Sequence, residues 1–314
     1  MKRKAKLTVG IVAGTAAALI AEAAVAFHEG MRKASARQMR RLSDEEEIGA
    51  EDLKLIREGA QWFNEQHVRE VSVTSHDGLL LRGHYLAHPH AKRTVIAFHG
   101  YKTYALFEFG AMVRFYYENG CNLLLVEQRG HLVSEGEYVD FGILARHDVI
   151  SWVRYVNSIN GTELPVFLAG VSMGAATVLM ASDMPLPSNV RGIIDDCGYS
   201  DTWEEVSHFG RLYHTFPNKL LMPIVNLMCR LIAGFDLRDA SPRRSLERTH
   251  LPVLMIHGTA DTLVPIRSSY QNYSSCKSPK RLVQIEDAEH VKCYFKDRAV
   301  YEEEVLSFFE RCGA

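Results

Sequence analysis

Ser172, Asp261 and His290 are the residues of this chain whose types and settings could do chemistry together. A serine hydroxyl is a weak nucleophile until a base takes its proton. The base needs a carboxylate to orient it, and the oxyanion formed on attack needs fixed N–H donors. Ser172 stands in Gly170-Val171-Ser172-Met173-Gly174, after the apolar run 166–169 and before the small-residue run 175–181. That setting predicts a sharp strand-to-helix elbow with the serine at its tip. A glycine two residues to either side lets helix and strand approach without a Cβ in the way. The pattern alone is weak, because a chain of this length matches Gly-x-Ser-x-Gly by chance about one time in ten, so partners are required.

Partners stand in a suitable chain order. Asp261 lies in His257-Gly258-Thr259-Ala260-Asp261-Thr262-Leu263-Val264-Pro265, directly after the apolar run 252–256, and His290 ends Asp287-Ala288-Glu289-His290 after the run 282–285. Phe98-His99-Gly100-Tyr101 closes an earlier run, where the backbone N–H of Tyr101 could pair with that of Met173 to hold an oxyanion. Asp195 and Asp196 also follow an apolar run, and Asp196 is the alternative orienting acid. Among the other histidines, His131, His208, His214 and His257 fall in a loop, a helical region or a strand end, where packing explains them. His99 reads as a partner of loop backbone, and Glu289 as a solvated neighbour.

The elements that must position these residues follow from periodicity. Runs at 94–98, 122–126, 166–169, 192–195, 252–256 and 282–285 are short and nearly continuously apolar, as strands buried on both faces of a parallel sheet are. Helix-length segments at 105–118, 142–159, 172–182 and 266–275 lie between them. This alternation predicts a doubly wound α/β domain, whose ligands bind at the C-terminal strand ends, where each chemical motif falls. Apolar runs at 71–73 and 79–85 flank His76-Asp77-Gly78 and predict a hairpin. From about 199 to 248 the chain is helical and rich in large apolar residues, including Trp203, Phe209, Leu220 and Ile224, and predicts a small cap over the site; packing on the sheet edge is the alternative.

The N-terminus predicts a separate role. Lys2, Arg3, Lys4 and Lys6 precede Leu7 to Phe27, a stretch of 21 residues whose only charge is Glu22. It reads as a membrane anchor over 1–27, or as a signal segment with an apolar core from Leu7 to Ile20 and a small-x-small site at Ala24-Val25-Ala26. The anchor is favoured because Glu22 stands near the far end, where it could reach the interface, and because an amphipathic helical stalk over 28–66 follows, with Ser43 and Glu46 as a capping box. Membrane association through 7–27 and an exported or anchored, extracytoplasmic body are therefore expected, a soluble alanine-rich helix and a cytoplasmic location being the alternatives. Basic residues flank both ends and leave orientation open.

Composition bounds the rest. The chain has 314 residues, 47% hydrophobic and 24% charged, with a formal net charge of −2, enough for a full core and without a global field for nucleic acid. The six cysteines show no C-x-x-C pair and no metal-type spacing with histidine. No cofactor and no metal is expected.

The order of these motifs resembles the α/β-hydrolase superfamily, and within it the small bacterial esterases and serine-aminopeptidase-like hydrolases, over about residues 66–312. His99-Gly100 resembles the oxyanion motif of that branch, Asp261-Thr262-Leu263-Val264-Pro265 its acid motif, and Arg129-Gly130-His131 with Ser134-Glu135-Gly136 its Asp-x-Arg-Gly-His-Gly-x-Ser-x-Gly loop. Glu127 stands where that loop has Asp, and Leu132 where it has Gly. Arg129 reads better as an ion-pair partner of Asp148 than as a substrate ligand. The resemblance implies a serine hydrolase of carboxylic esters with Ser172, His290 and Asp261 as a triad over a domain at 67–314. It also implies an uncharged acyl or aryl ester of modest size as small-molecule substrate. A peptidase or amidase, or a binding protein that kept the fold, are the alternatives; no acidic cluster in the cap is apparent that would capture a free amino terminus.

Overall fold

In the computed structural model, residues 2–33, 48–213 and 215–313 are described, with side chains from residue 14 onward apart from 212 and 213. Ser43 and Glu46, the expected capping box, and His214 lie outside the described residues. The apolar runs form strands: β3 (Arg93–Phe98), β4 (Cys121–Glu127), β5 (Val166–Val171), β6 (Val190–Asp196), β7 (Val253–Gly258) and β8 (Lys280–Ile285). The expected hairpin is β1 (Arg69–Thr74) with β2 (Leu80–Leu86), turning at Gly78 with φ +91°. The eight strands lie in the order β1-β2-β4-β3-β5-β6-β7-β8; β2 runs antiparallel to β1 and β4, and the rest are parallel.

A sheet apolar on both faces must be covered on both. Successive residues of β3 point to opposite sides: Val95 and Ala97 join one core with Phe63, Phe109, Tyr301 and Phe309, while Ile96 and Phe98 join another with Trp152, Val156, Val178 and Leu179. The first layer is built by α2 (Ala50–Asn64), α3 (Ala105–Phe109), α4 (Val113–Glu118), α11 (Cys293–Lys296) and α12 (Arg298–Arg311). The second contains α5 (Ala145–Asn160) and α6 (Met173–Ala181). All six cysteines are free, and Cys276 and Cys293 belong to the cores on opposite faces.

The single helix expected at 105–118 is two. A Cβ at Gly59 of α2 would stand 1.9 Å from Gly110 O, so α2 crosses the break between α3 and α4 at backbone contact. With Leu53, Ile56 and Phe63 buried, α2 belongs to the domain and is not part of a stalk. Remaining helices are α1 (Lys2–Met31), α7 (Thr202–Tyr213), α8 (Asn218–Met228), which runs on into a π-helical turn at Cys229–Ala233, α9 (Pro242–Leu246) and α10 (Arg267–Ser275). Helices α7 and α8 pack with Met173, Ala176 and Tyr199 in a third apolar cluster, beside the C-terminal strand ends.

The reading of residues 7–27 needs correction. They belong to α1, whose Ala23, Ala26, Phe27 and Met31 recur at helical spacing and pack with Leu221, Met222 and Val225 of α8. Glu22 does not reach for an interface: its Oε1 accepts the backbone N–H groups of Thr215 and Phe216 at 2.5 and 3.1 Å. Past the helix end, Lys33 N donates to Glu137 O at 2.9 Å. Side chains of residues 7–13 lie outside the described set. Among the described residues no helix is long and apolar enough to cross a membrane, so neither the anchor nor the signal segment is supported. An apolar stripe on an alanine-rich helix has the composition of a lipid-facing segment, and only the partner surface tells them apart.

Candidate active site

Ser172 lies at the elbow between β5 and α6 with φ +53° and ψ −115°, a conformation that costs a residue bearing a Cβ. Close approach explains the flanking glycines. A Cβ at Gly174 would fall 1.9 Å from Phe98 O in β3, and one at Gly170 2.4 Å from Ala175 N in α6. Ser172 N donates to Asp196 O at 2.8 Å, fixing the turn to the neighbouring strand.

His290 stands in the loop after β8 beside Val291, a β-branched residue held at φ +61°. Its Nε2 is 2.9 Å from Ser172 Oγ, and its Nδ1 is 2.7 Å from Asp261 Oδ2. Asp261, in the loop after β7, is fully buried at its side chain and accepts the N–H groups of Leu263 and Val264 on Oδ1 at 3.0 and 2.9 Å. Burial opposes charge on this carboxyl, but hydrogen bonds to His257 and His290 and the proximity of both rings outweigh it and hold its pKa at about 2. The three residues named from sequence thus form one hydrogen-bonded chain. Asp196 takes the other course: burial lifts its pKa to about 6, and its Oδ1 has no hydrogen-bond partner among the described residues.

Tyr101 and Met173 line the same cavity as Ser172 and His290, of about 110 Å³. Met173 is the first residue of α6, so its N–H is one of those a helix leaves without an intrahelical partner. The Tyr101 side chain turns away, stacking on Phe141 with centroids 5.0 Å apart and donating its hydroxyl to Gly30 O of α1 at 2.6 Å.

The surrounding loops are held by neutral histidines and one buried arginine. His99 Nδ1 lies 2.8 Å from Gly100 O and its Nε2 accepts from Gln128 N at 3.1 Å, so both ring nitrogens serve the backbone. Burial, with His131 nearby, keeps its pKa well below the usual range. Arg129 forks onto Asp148 at 2.6 and 2.7 Å and onto Asp77 of the hairpin turn at 2.8 and 3.0 Å, the structural ion pair expected of it. Leu132 adopts φ +34° where the resembling loop has glycine, and is 37% exposed.

Three further residues, His257, Glu108 and Glu205, stand at the site. His257, read as packing at a strand end, has Nε2 at 3.2 Å from Asp261 Oδ2 and 2.8 Å from Val264 O, with Nδ1 at 2.6 Å from Ser269 Oγ. It stands behind the acid as a positioning residue would; the signal was its i,i+4 spacing to Asp261. Glu108 and Glu205 line the cavity with Ser172. Burial raises each to about 8, although Glu108 Oε2 accepts from Gly100 N at 3.2 Å; Glu205 Oε1 has no partner among the described residues. Glu205 falls on the buried face of α7 three residues after Thr202, so a charge on an apolar helix stripe was the available signal.

Comparison with known proteins places this geometry in context. Residues 89–223 match the family model described as "Serine aminopeptidase, S33". The uncharacterized protein YqkD of Bacillus subtilis is 25% identical over 248 residues, 79% of this chain and 81% of that protein. Monoglyceride lipase of Mus musculus is 28% identical over 207 residues, 52% of this chain and 63% of the lipase. Among solved structures, an esterase of Pyrococcus furiosus superposes with a TM-score of 0.64 at 20% identity, covering 80% of this chain and 93% of the esterase.

Proposed function

We propose that this chain, which matches the serine aminopeptidase S33 family model over residues 89–223 and shares the fold of a solved esterase, is an α/β-hydrolase that hydrolyses carboxylic esters, acyl or aryl and of modest size, through a Ser172–His290–Asp261 triad. The observation that carries this reading is the unbroken relay of 2.9 Å from Ser172 to His290 and 2.7 Å from His290 to Asp261, with the serine at a strained elbow. A hydrogen-bonded imidazole at that distance is within reach of the hydroxyl proton in the ground state.

In this mechanism Ser172 Oγ attacks the ester carbonyl carbon as His290 Nε2 takes its proton. Asp261 keeps Nδ1 protonated and stabilises the imidazolium, without itself taking the proton. The N–H groups of Tyr101 and Met173 receive the carbonyl oxygen as it becomes an oxyanion. His290 then protonates the departing alcohol, and a water molecule activated by the same ring releases the acid. Residues 199–248 act as a cap that shields the acyl-enzyme, on a hydrolase domain that takes in α2 as well as residues 67–314.

One observation favours a second reading. Glu205, buried, and Glu108, half-buried, both line the cavity and supply carboxyls there, and either would ionise opposite a substrate ammonium. That suits an aminopeptidase, whose triad would be the same. Turnover of p-nitrophenyl esters against aminoacyl anilides by the purified protein separates the two. Esters are expected to be faster, both activities falling in Ser172→Ala; faster anilide turnover contradicts the ester reading.

A further inference from the structure

Beyond the Ser172 cavity lies a second, apolar one of about 330 Å³. Ala26 and Met31 of α1, Val206 of α7, and Leu221, Met222 and Val225 of α8 line it. Its size falls in the range of small-molecule sites. The two cavities share Tyr101, Phe141 and Phe209. Tyr101 lies 5.0 Å from Phe141 and 6.1 Å from Phe209 by ring centroid, so these rings form the partition between polar chemistry and apolar space. Helix α1 is tied to that partition by the hydrogen bond from Tyr101 Oη to Gly30 O and one from Lys102 Nζ to Glu29 O.

Resting on the ester reading above, we infer that this second cavity takes the acyl chain of the substrate, and that the N-terminal helix α1 is one wall of the chain-binding site. The side is set by proton transfer. The leaving alcohol must sit by His290 to be protonated; Leu263 and Val264, whose N–H groups bond the carboxylate that His290 touches, and Val291, its chain neighbour, are the cavity-lining residues tied to that ring. None of these lines the apolar cavity, which therefore lies on the acyl side of the carbonyl. At about 30 Å³ for each water-sized group, the 330 Å³ of this space holds a single chain of roughly ten methylenes. Apolar walls contribute about 0.8 kcal/mol per buried CH₂, which is about fourfold in kcat/KM for each methylene. The substrate class is thus a single-chain ester of medium length, and α1 sets where the gain per methylene stops.

The test is a p-nitrophenyl ester series from acetate to hexadecanoate, the leaving group held constant, on the full chain and three variants. The ratio of decanoate to acetate kcat/KM is the readout. Ala26→Trp, which fills the cavity from α1, should lower that ratio at least about 30-fold, the worth of two to three methylenes. Met222→Trp should do the same from α8, and serves if the first variant does not fold. Val25→Trp is a control on the face of α1 that is 52% exposed, and should leave the ratio at its wild-type value. An unchanged ratio in both filling variants, or an equal shift in the control, overturns the inference while leaving acetate turnover to support an esterase. Calorimetric binding of decanoate to Ser172→Ala separates the failures. Binding that is lost in Ala26→Trp, without ester turnover by the wild type, contradicts the esterase and retains the cavity; no binding contradicts the cavity.

Discussion

The two cavities that meet at Tyr101 differ in how they are built. The one around Ser172 has its floor in loops at the ends of β3, β5, β7 and β8, with α7 closing it above. That floor is fixed by backbone: a glycine approach of 1.9 Å, a serine at φ +53°, a carboxylate holding two loop N–H groups. The neighbouring cavity is made of helix faces from α1, α7 and α8 that meet mainly by side-chain packing, with Glu22 of α1 holding the N–H groups of Thr215 and Phe216 between the other two. On the proposed reading, chemistry rests on a frame that tolerates little displacement, and chain recognition on surfaces that can change residue by residue. Where a reacting atom must be held to a fraction of an ångström, rigid strand ends serve; where a chain only needs apolar cover, helices do.

The sharpest way to break that contrast lies at the acid. Asp261→Asn should lower kcat on every ester alike by about 10³- to 10⁴-fold, because the relay loses the group that fixes the imidazole tautomer. Asp196→Asn should cost far less. Steady-state kinetics on short and long esters checks both, and the opposite ranking would move the orienting acid to β6. The chain-length shift expected of Ala26→Trp is next in size, and differs in kind because it changes a ratio rather than a rate.

The smallest effect concerns Glu205. Its folded-state pKa, raised by burial to about 8, means that between about pH 4.5 and 8 the folded protein holds a proton that the unfolded chain has lost. Stability from this group therefore falls as pH rises through that window. Removing the ionisable group should reverse the trend. Glu205→Gln is expected to match the wild type at pH 4 and to exceed it by a few kcal/mol at pH 8, read from denaturant titrations at both values. If the gain is the same at both pH values, Glu205 is not the buried acid described here. Loss of anilide turnover in the same variant would favour the aminopeptidase reading.

How much of this was legible in the sequence follows the same division. The strands showed because burial on both faces writes a continuous apolar run, and Ser172, Asp261 and His290 stand out because each follows such a run within a few residues. The split of the expected helix at 105–118 was hidden, since the cause is a contact between Gly110 and Gly59 in α2. The same blindness produced the misreading of residues 7–27. Ala23, Ala26 and Phe27 are as apolar against α8 as they would be against lipid, and the two N–H groups that Glu22 accepts belong to residues 215 and 216. Glu108 and Glu205 were missed because burial, which makes them unusual, is a tertiary property.

The most direct test of the account is active-site labelling of the folded protein with a fluorophosphonate, with the adduct located by mass spectrometry. The account predicts a single adduct on Ser172, lost in Ser172→Ala and slowed at least about 100-fold in His290→Gln, where the general base is gone. No adduct in the folded protein, or an adduct on another residue that persists in Ser172→Ala, would contradict it.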